Sequence, residues 1–171
     1  MEATAVSAGY QPQLLSAVTS VNDQQKHRLF DKLNHYFAGN LQGKTVALWG
    51  LAFKPGTDDM REAPSRLLME ALWQQGAKVR AYDPHAMDTT QAIYGARDDL
   101  LLCGTKEAAL NGADVLVICT EWKPFWSPDF GYIKSVLAHP VIFDGRNLYD
   151  PKRLQEQGLQ YYAIGRQNAV I

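Results

Sequence analysis

At 171 residues the chain suits one domain, or one domain with an appendage, and can bury roughly 70% of the surface its unfolded form exposes. An apolar fraction of 46%, a charged fraction of 20% and a net charge of −1 are ordinary for a globular protein. Nothing in this balance argues for nucleic acid or an anionic membrane as main partner, so any anionic ligand must be met by locally placed Lys and Arg.

In chain order, the opening MEATAVSAG has neither a basic n-region nor an apolar h-region. No window approaches the roughly 18 apolar residues of a membrane helix, and the chain reads as cytoplasmic. From Pro12 to Phe37, Leu14, Leu15, Val18, Val21, Leu29, Phe30, Leu33, Tyr36 and Phe37 recur at helical spacing. Pro12 suits a first turn and Gly39-Asn40 a stop, giving a helix about 39 Å long. Its apolar ends are separated by the polar stretch Asn22 to Arg28, a pattern expected of a helix that packs against something outside its own domain.

After Gly43 the pattern alternates. Thr45 to Trp49 is an apolar run closing on Gly50, followed by a helix from about Pro64 that Gly76 stops. Val79 to Tyr82 reads as a second strand ended by Asp83-Pro84, and Ala86 to Leu102 as a short helix and a short strand. Thr105 caps a helix through Leu110. Val115 to Cys119 is a buried strand of the parallel type. Ser127-Pro128 is a cap-plus-proline start for a helix ending near Ala138, and Val141 to Phe143 is another buried strand. Asp150-Pro151 opens a last helix closed by Gly158, and Leu159 to Ile164 is the final strand. Strand and helix alternating with short connections predict an α/β fold, a Rossmann-like doubly wound parallel sheet of five or six strands behind a long N-terminal helix.

Such a sheet binds ligands at the carboxyl ends of its strands, where strand order reverses. The loops expected there run from Gly50 to Glu62, through Thr120-Glu121-Trp122, and through Gly145-Arg146-Asn147. Lys54, Arg61 and Arg146 bring cations suited to phosphate, while Phe53 and Trp122 bring aromatic faces suited to a base or sugar. Surface charge and core aromatics explain the same residues equally well from pattern alone. The first loop lacks the second and third glycines of a dinucleotide fingerprint, so this is no conventional NAD binder. Asp83 stands where an NAD fold places its ribose acid, yet reads better as turn chemistry. Cys103 and Cys119 sit in apolar runs as structural thiols, and His27, His35, His85 and His139 match no metal-ligand spacing.

The sixteen residues from Gly50 to Ser65, GLAFKPGTDDMREAPS, resemble the signature opening the C-terminal domain of the UDP-glucose/GDP-mannose dehydrogenase family. The resemblance continues through Val21 to Gln25, Tyr82-Asp83-Pro84, Ala113-Asp114, Thr120-Glu121-Trp122, Phe143 to Asn147 and Gly165-Arg166, covering roughly residues 10 to 167. It implies residues 1–40 as the end of a central dimerisation helix region and 41–171 as the domain that binds the UDP of a UDP-sugar. Phe53, Lys54 and Arg146 would line that nucleotide site, and Arg61 would reach across the cleft to NAD held mainly by another domain. Leu14, Leu15, Val18 and Val21 would pack across a second copy of the chain in a homodimer, or lie exposed in the fragment. The family oxidises a primary alcohol to an acid in two NAD-dependent steps, through a thioester on a Cys in a GGSCFPKD-type segment. No such segment occurs here, so the chain reads as a fragment without a catalytic residue and inactive alone. Thr-Glu-Trp with Phe125 beyond it favours the UDP-glucose branch over GDP-mannose or N-acetylated relatives. A binding or dimerisation module without chemistry is the alternative of another class.

Overall fold

The structure, a computed structural model, describes residues 13–166. Helix α1 (Gln13–Tyr36) precedes β1 (Thr45–Trp49), α2 (Pro64–Gln74), β2 (Lys78–Tyr82), α3 (Met87–Tyr94) and β3 (Leu100–Leu102). Helix α4 (Lys106–Leu110), β4 (Val115–Ile118), a single 3₁₀ turn (Lys123–Phe125), α5 (Phe130–Val136), β5 (Val141–Asp144), α6 (Pro151–Glu156) and β6 (Gln160–Ala163) complete the chain. The six strands are all parallel, in the order β3-β2-β1-β4-β5-β6. Every residue of β4 and β5 is buried because helices cover both faces, which is why these strands read as continuous apolar runs. Strand order reverses between β1 and β4, and the crevice at their carboxyl ends is where such a sheet receives a ligand.

Several expected boundaries shift by a residue or two: β2 begins at Lys78, β5 runs on to Asp144 and β6 spans Gln160–Ala163, while α5 and β4 differ for identifiable reasons. Helix α5 is capped by Asp129, whose carboxylate accepts from the Tyr132 amide at 2.9 Å, and not by Ser127; it ends at Val136, short of Ala138. The carboxylate three residues ahead of the amide satisfies a donor the first turn leaves open, and that outcompetes the Ser-Pro signal. Strand β4 stops at Ile118, although the Cys119 amide still donates to the Trp49 carbonyl at 2.9 Å. The expected start of α1 at Pro12 lies outside the described residues.

At 24 residues, α1 is about 36 Å long. Its C-terminal half is docked: Leu29 and Leu33 are buried, and the Tyr36 ring meets Phe143 at 5.6 Å and Tyr162 at 5.8 Å, edge to face. Towards the N-terminus Leu14, Val18 and Val21 are exposed; the Leu15 side chain lies outside the described residues. Among the described residues no helix is long and apolar enough to cross a membrane.

Candidate functional site

Three loops leave the carboxyl edge at the point of reversal, and two buried carboxylates organise them. Asp83, at the end of β2, accepts from the backbone amides of Leu51 (2.7 Å), Ala52 (3.1 Å), His85 (2.8 Å) and Ala86 (2.9 Å), and from the Trp122 indole (3.0 Å). It ties the loop after β1 to the loop after β4. Thr120 adds a second tie, its hydroxyl donating to the Ala52 carbonyl at 2.6 Å. Gly50 has φ +91°, and a Cβ there would lie 2.6 Å from the Thr120 amide nitrogen, so only glycine lets these two loops approach.

Asp144, at the end of β5, organises its own loop in the same way. Its carboxylate accepts from the amides of Arg146 (2.7 Å), Asn147 (2.9 Å) and Leu148 (2.8 Å) and from the Tyr161 hydroxyl (2.8 Å). Burial pushes this carboxyl above the ordinary range, and the amide and hydroxyl donors oppose the shift. Asn147, at φ +58°, exchanges hydrogen bonds with the Ile164 backbone at 2.9 and 3.0 Å. The Gly-Arg-Asn loop is thereby clamped on both sides, with the Arg146 side chain directed outward.

A cleft of about 540 Å³ lies between these loops and α1. Phe53 and Arg146 line it, with Asn22, Gln25, Lys26 and Leu29 from α1 and Glu62, Cys119 and Gly145 from the sheet side. Phe53 is half exposed because its amide closes the loop on the Asp59 carbonyl at 2.8 Å and holds the ring out of the core. Arg146 is paired: its Nη2 donates to Glu121 Oε1 at 2.7 Å, and its Nε lies in ion-pair contact with Glu121 Oε2. Lys26 on α1 reaches Glu62 at 2.8 Å, joining the helix to the loop beside the cleft. Of the four residues expected to meet ligands, Phe53 and Arg146 share this cleft, while exposed Lys54 is beside Phe53 in sequence but outside the lining. Arg61 lies apart, in a shallow hollow with Asp58, Asp59 and Arg66.

In that hollow Asp59 accepts from Arg61 Nε at 3.0 Å and Nη2 at 2.8 Å, which lowers its carboxyl to about 2. Asp58 accepts from the Thr89 hydroxyl at 3.3 Å. Both carboxylates are engaged as loop acceptors rather than aimed into the cleft as bases. Both cysteines are free and buried; burial raises the Cys103 thiol and pushes Cys119 up to about 12, so neither supplies a thiolate. His27, His35 and His85 are exposed, and His139 is half-buried against the Tyr36 and Phe37 rings.

The place where a dinucleotide would sit in such a sheet does not suit one. The first loop approaches the loop after β4 closely at Gly50 instead of leaving room for a pyrophosphate, and Asp83 has spent its oxygens on five N–H donors. Asp83 is thus scaffold, as its turn chemistry suggested, and Trp122 is the buried core aromatic of the two readings its pattern allowed. The wall contributed by α1 went unassigned in the sequence: Asn22, Gln25 and Lys26 sit in a polar stretch that spacing alone reads as a solvated face. Only the packing of α1 over the sheet edge turns it into half of a cleft.

Residues 47–151 match the UDP-glucose/GDP-mannose dehydrogenase family, UDP binding domain. Over 169 residues the chain is 50% identical to the UDP-glucose 6-dehydrogenase of Pseudomonas aeruginosa, covering 97% of this chain and 37% of that protein. It is 38% identical to the UDP-glucose 6-dehydrogenase TuaD of Bacillus subtilis, covering 95% of this chain and 34% of that one. The solved UDP-glucose dehydrogenase of Pyrobaculum islandicum superposes with a TM-score of 0.77 at 28% identity, over 94% of this chain and 34% of that chain. The chain therefore spans about a third of the length of these relatives. With the reversed six-stranded sheet and its cleft, the match over most of the chain establishes that this protein belongs to the UDP-glucose/GDP-mannose dehydrogenase family, as its UDP-binding domain.

Proposed function

We propose that the cleft between α1 and the loops after β1, β4 and β5 holds the nucleotide half of a UDP-sugar, as a component of an NAD-dependent UDP-glucose 6-dehydrogenase. The observation that carries this reading is the meeting of Phe53 and Arg146 on one cleft from separate loops. The Phe53 ring offers a face to a base or sugar. The Arg146 guanidinium offers a planar fork of donors to a pyrophosphate, and exposed Lys54, next to Phe53 in sequence, would add a further positive charge. Arg61, in its own hollow, would face NAD bound on another domain.

The reaction of the whole enzyme would be oxidation of UDP-glucose to UDP-glucuronate in two NAD-dependent steps. Its covalent thioester would form on a cysteine outside this chain, since Cys103 and Cys119 are buried thiols. The domain supplies binding and orientation, and alone it is expected to reduce no NAD. Titration of this chain with UDP and with GDP, followed by amide chemical shifts up to millimolar ligand, tests the reading. Shifts clustered at Phe53, Lys54 and the 145–147 loop with UDP favoured are the expected result. Tighter GDP binding moves the assignment to the mannose branch, and no shifts with either nucleotide overturn it.

A further inference from the structure

We infer that Glu121 is a positioning residue for the nucleotide site, fixing the Arg146 guanidinium so that its Nη1 end faces the ligand; this rests on the function proposed above. A guanidinium carries five N–H donors along three edges. Glu121 occupies the edge shared by Nε and Nη2, with Oε1 2.7 Å from Nη2 and Oε2 against Nε. Among the described residues nothing hydrogen-bonds Nη1, so the edge formed by Nη1 and the second Nη2 proton is left for an incoming phosphate. Two parallel N–H groups on one edge match two phosphate oxygens, the geometry in which arginine binds best.

Glu121 suits this work because its segment is immobilised on both sides. The Thr120 hydroxyl is bonded to Ala52, the Trp122 indole to Asp83, and the Glu121 carbonyl accepts from the Trp126 indole at 3.1 Å. Arg146 starts from an equally fixed point, its own amide being held by Asp144 at 2.7 Å. A long, rotamer-rich side chain is thus ordered before the ligand arrives, and the entropy of ordering it is not charged to binding.

Electrostatics alone argues the opposite outcome, since the carboxylate partly neutralises the cation. Glu121→Gln removes that negative charge, so a site governed by charge would bind UDP more tightly, whereas a positioned Arg146 would bind it more weakly. The experiment titrates UDP into this chain as wild type, Glu121→Gln, Glu121→Ala, Arg146→Ala and the Glu121→Ala/Arg146→Ala double variant, with amide spectra confirming each fold. The side-chain Nε–H signal of Arg146 is followed without ligand. The expected result is a roughly 3- to 100-fold loss of affinity in both Glu121 variants, the range of coupling between contacting residues, which disappears when Arg146 is already Ala. The Nε–H signal should shift in the Glu121 variants before any UDP is added. Tighter or unchanged UDP binding in Glu121→Gln overturns the inference, as does a loss that persists in the Arg146→Ala background. A wild-type chain that shows no response to UDP overturns the functional reading first and this inference with it, whereas UDP binding without coupling overturns this inference alone.

Discussion

Arg61 and Arg146 leave the same sheet edge, yet each is held by its own carboxylate and faces a different hollow. We propose that this separation gives one cation to each ligand of the proposed enzyme. In the intact dehydrogenase, Arg61→Ala is expected to raise the KM for NAD more than that for the nucleotide sugar. Arg146→Ala should do the reverse, each by about 10- to 150-fold, or ~1.5–3 kcal/mol for a charged hydrogen bond. Steady-state kinetics with each substrate varied checks this; if both substitutions fall on one ligand, the partition is wrong. The Asp59–Arg61 pair has its own signature. The Asp59 carboxyl is depressed to about 2 by Arg61, so whatever the pair contributes is present above the ordinary carboxylate range and is lost as pH falls through that value. Carboxyl chemical shifts should show Asp59 returning to the ordinary range in Arg61→Ala.

At the scale of elements, three helices, α4, α5 and α6, start where a side chain completes a backbone donor, whereas α2 and α3 have no side-chain cap. Asp129 caps α5, Asp150 caps α6 by accepting from the Lys152 amide at 2.9 Å, and Thr105 caps α4 by accepting from Ala108 at 3.0 Å. Asp129→Ala is expected to cost about 1 kcal/mol in urea unfolding. Ser127→Ala should stay within about 0.5 kcal/mol, as an ordinary surface change does. Equal effects would mean the cap has been misassigned. The loops obey the same logic at larger reach: Asp83 and Asp144, each at the end of a strand, satisfy the amides of the turns that follow. These acids make the site's backbone rigid while leaving its cations exposed.

For the whole molecule, the two ends of α1 behave differently. Leu29 and Leu33 are core residues, while Leu14, Val18 and Val21 are 79%, 51% and 53% exposed. The helix is about 36 Å long, and among the described residues only its C-terminal half is covered by the sheet domain. An exposed apolar stripe on a helix favours self-association, and two-fold dimers are its commonest form. We propose that residues 1–40 pair two copies with the sheet domains of residues 41–171 outward. Light scattering should find a dimer that Leu14→Glu with Val18→Glu converts to monomer. A monomer before substitution, or a dimer indifferent to the two charges, would sink the idea.

The alternation of strand and helix, the caps at Thr105 and Asp150 and the parallel sheet were legible in the residues because each rests on short-range chemistry. Buried strands read as apolar runs, capping side chains precede their helices, and glycine or proline marks each stop. The Gly50 to Ser65 block pointed to the family through its resemblance to that family's signature. Other features depended on groups brought from elsewhere in the chain. Asp83 is a hub because Leu51, Ala52 and Trp122 converge on it, and Glu121 grips Arg146 from the neighbouring loop. The polar stretch from Asn22 to Lys26 looks like a solvated helix face until α1 folds over the sheet edge and makes it a wall of the cleft. Local chemistry therefore determined the elements and the candidate cations. Only tertiary packing decided which of them share a site, because spacing in sequence carries no measure of distance between loops.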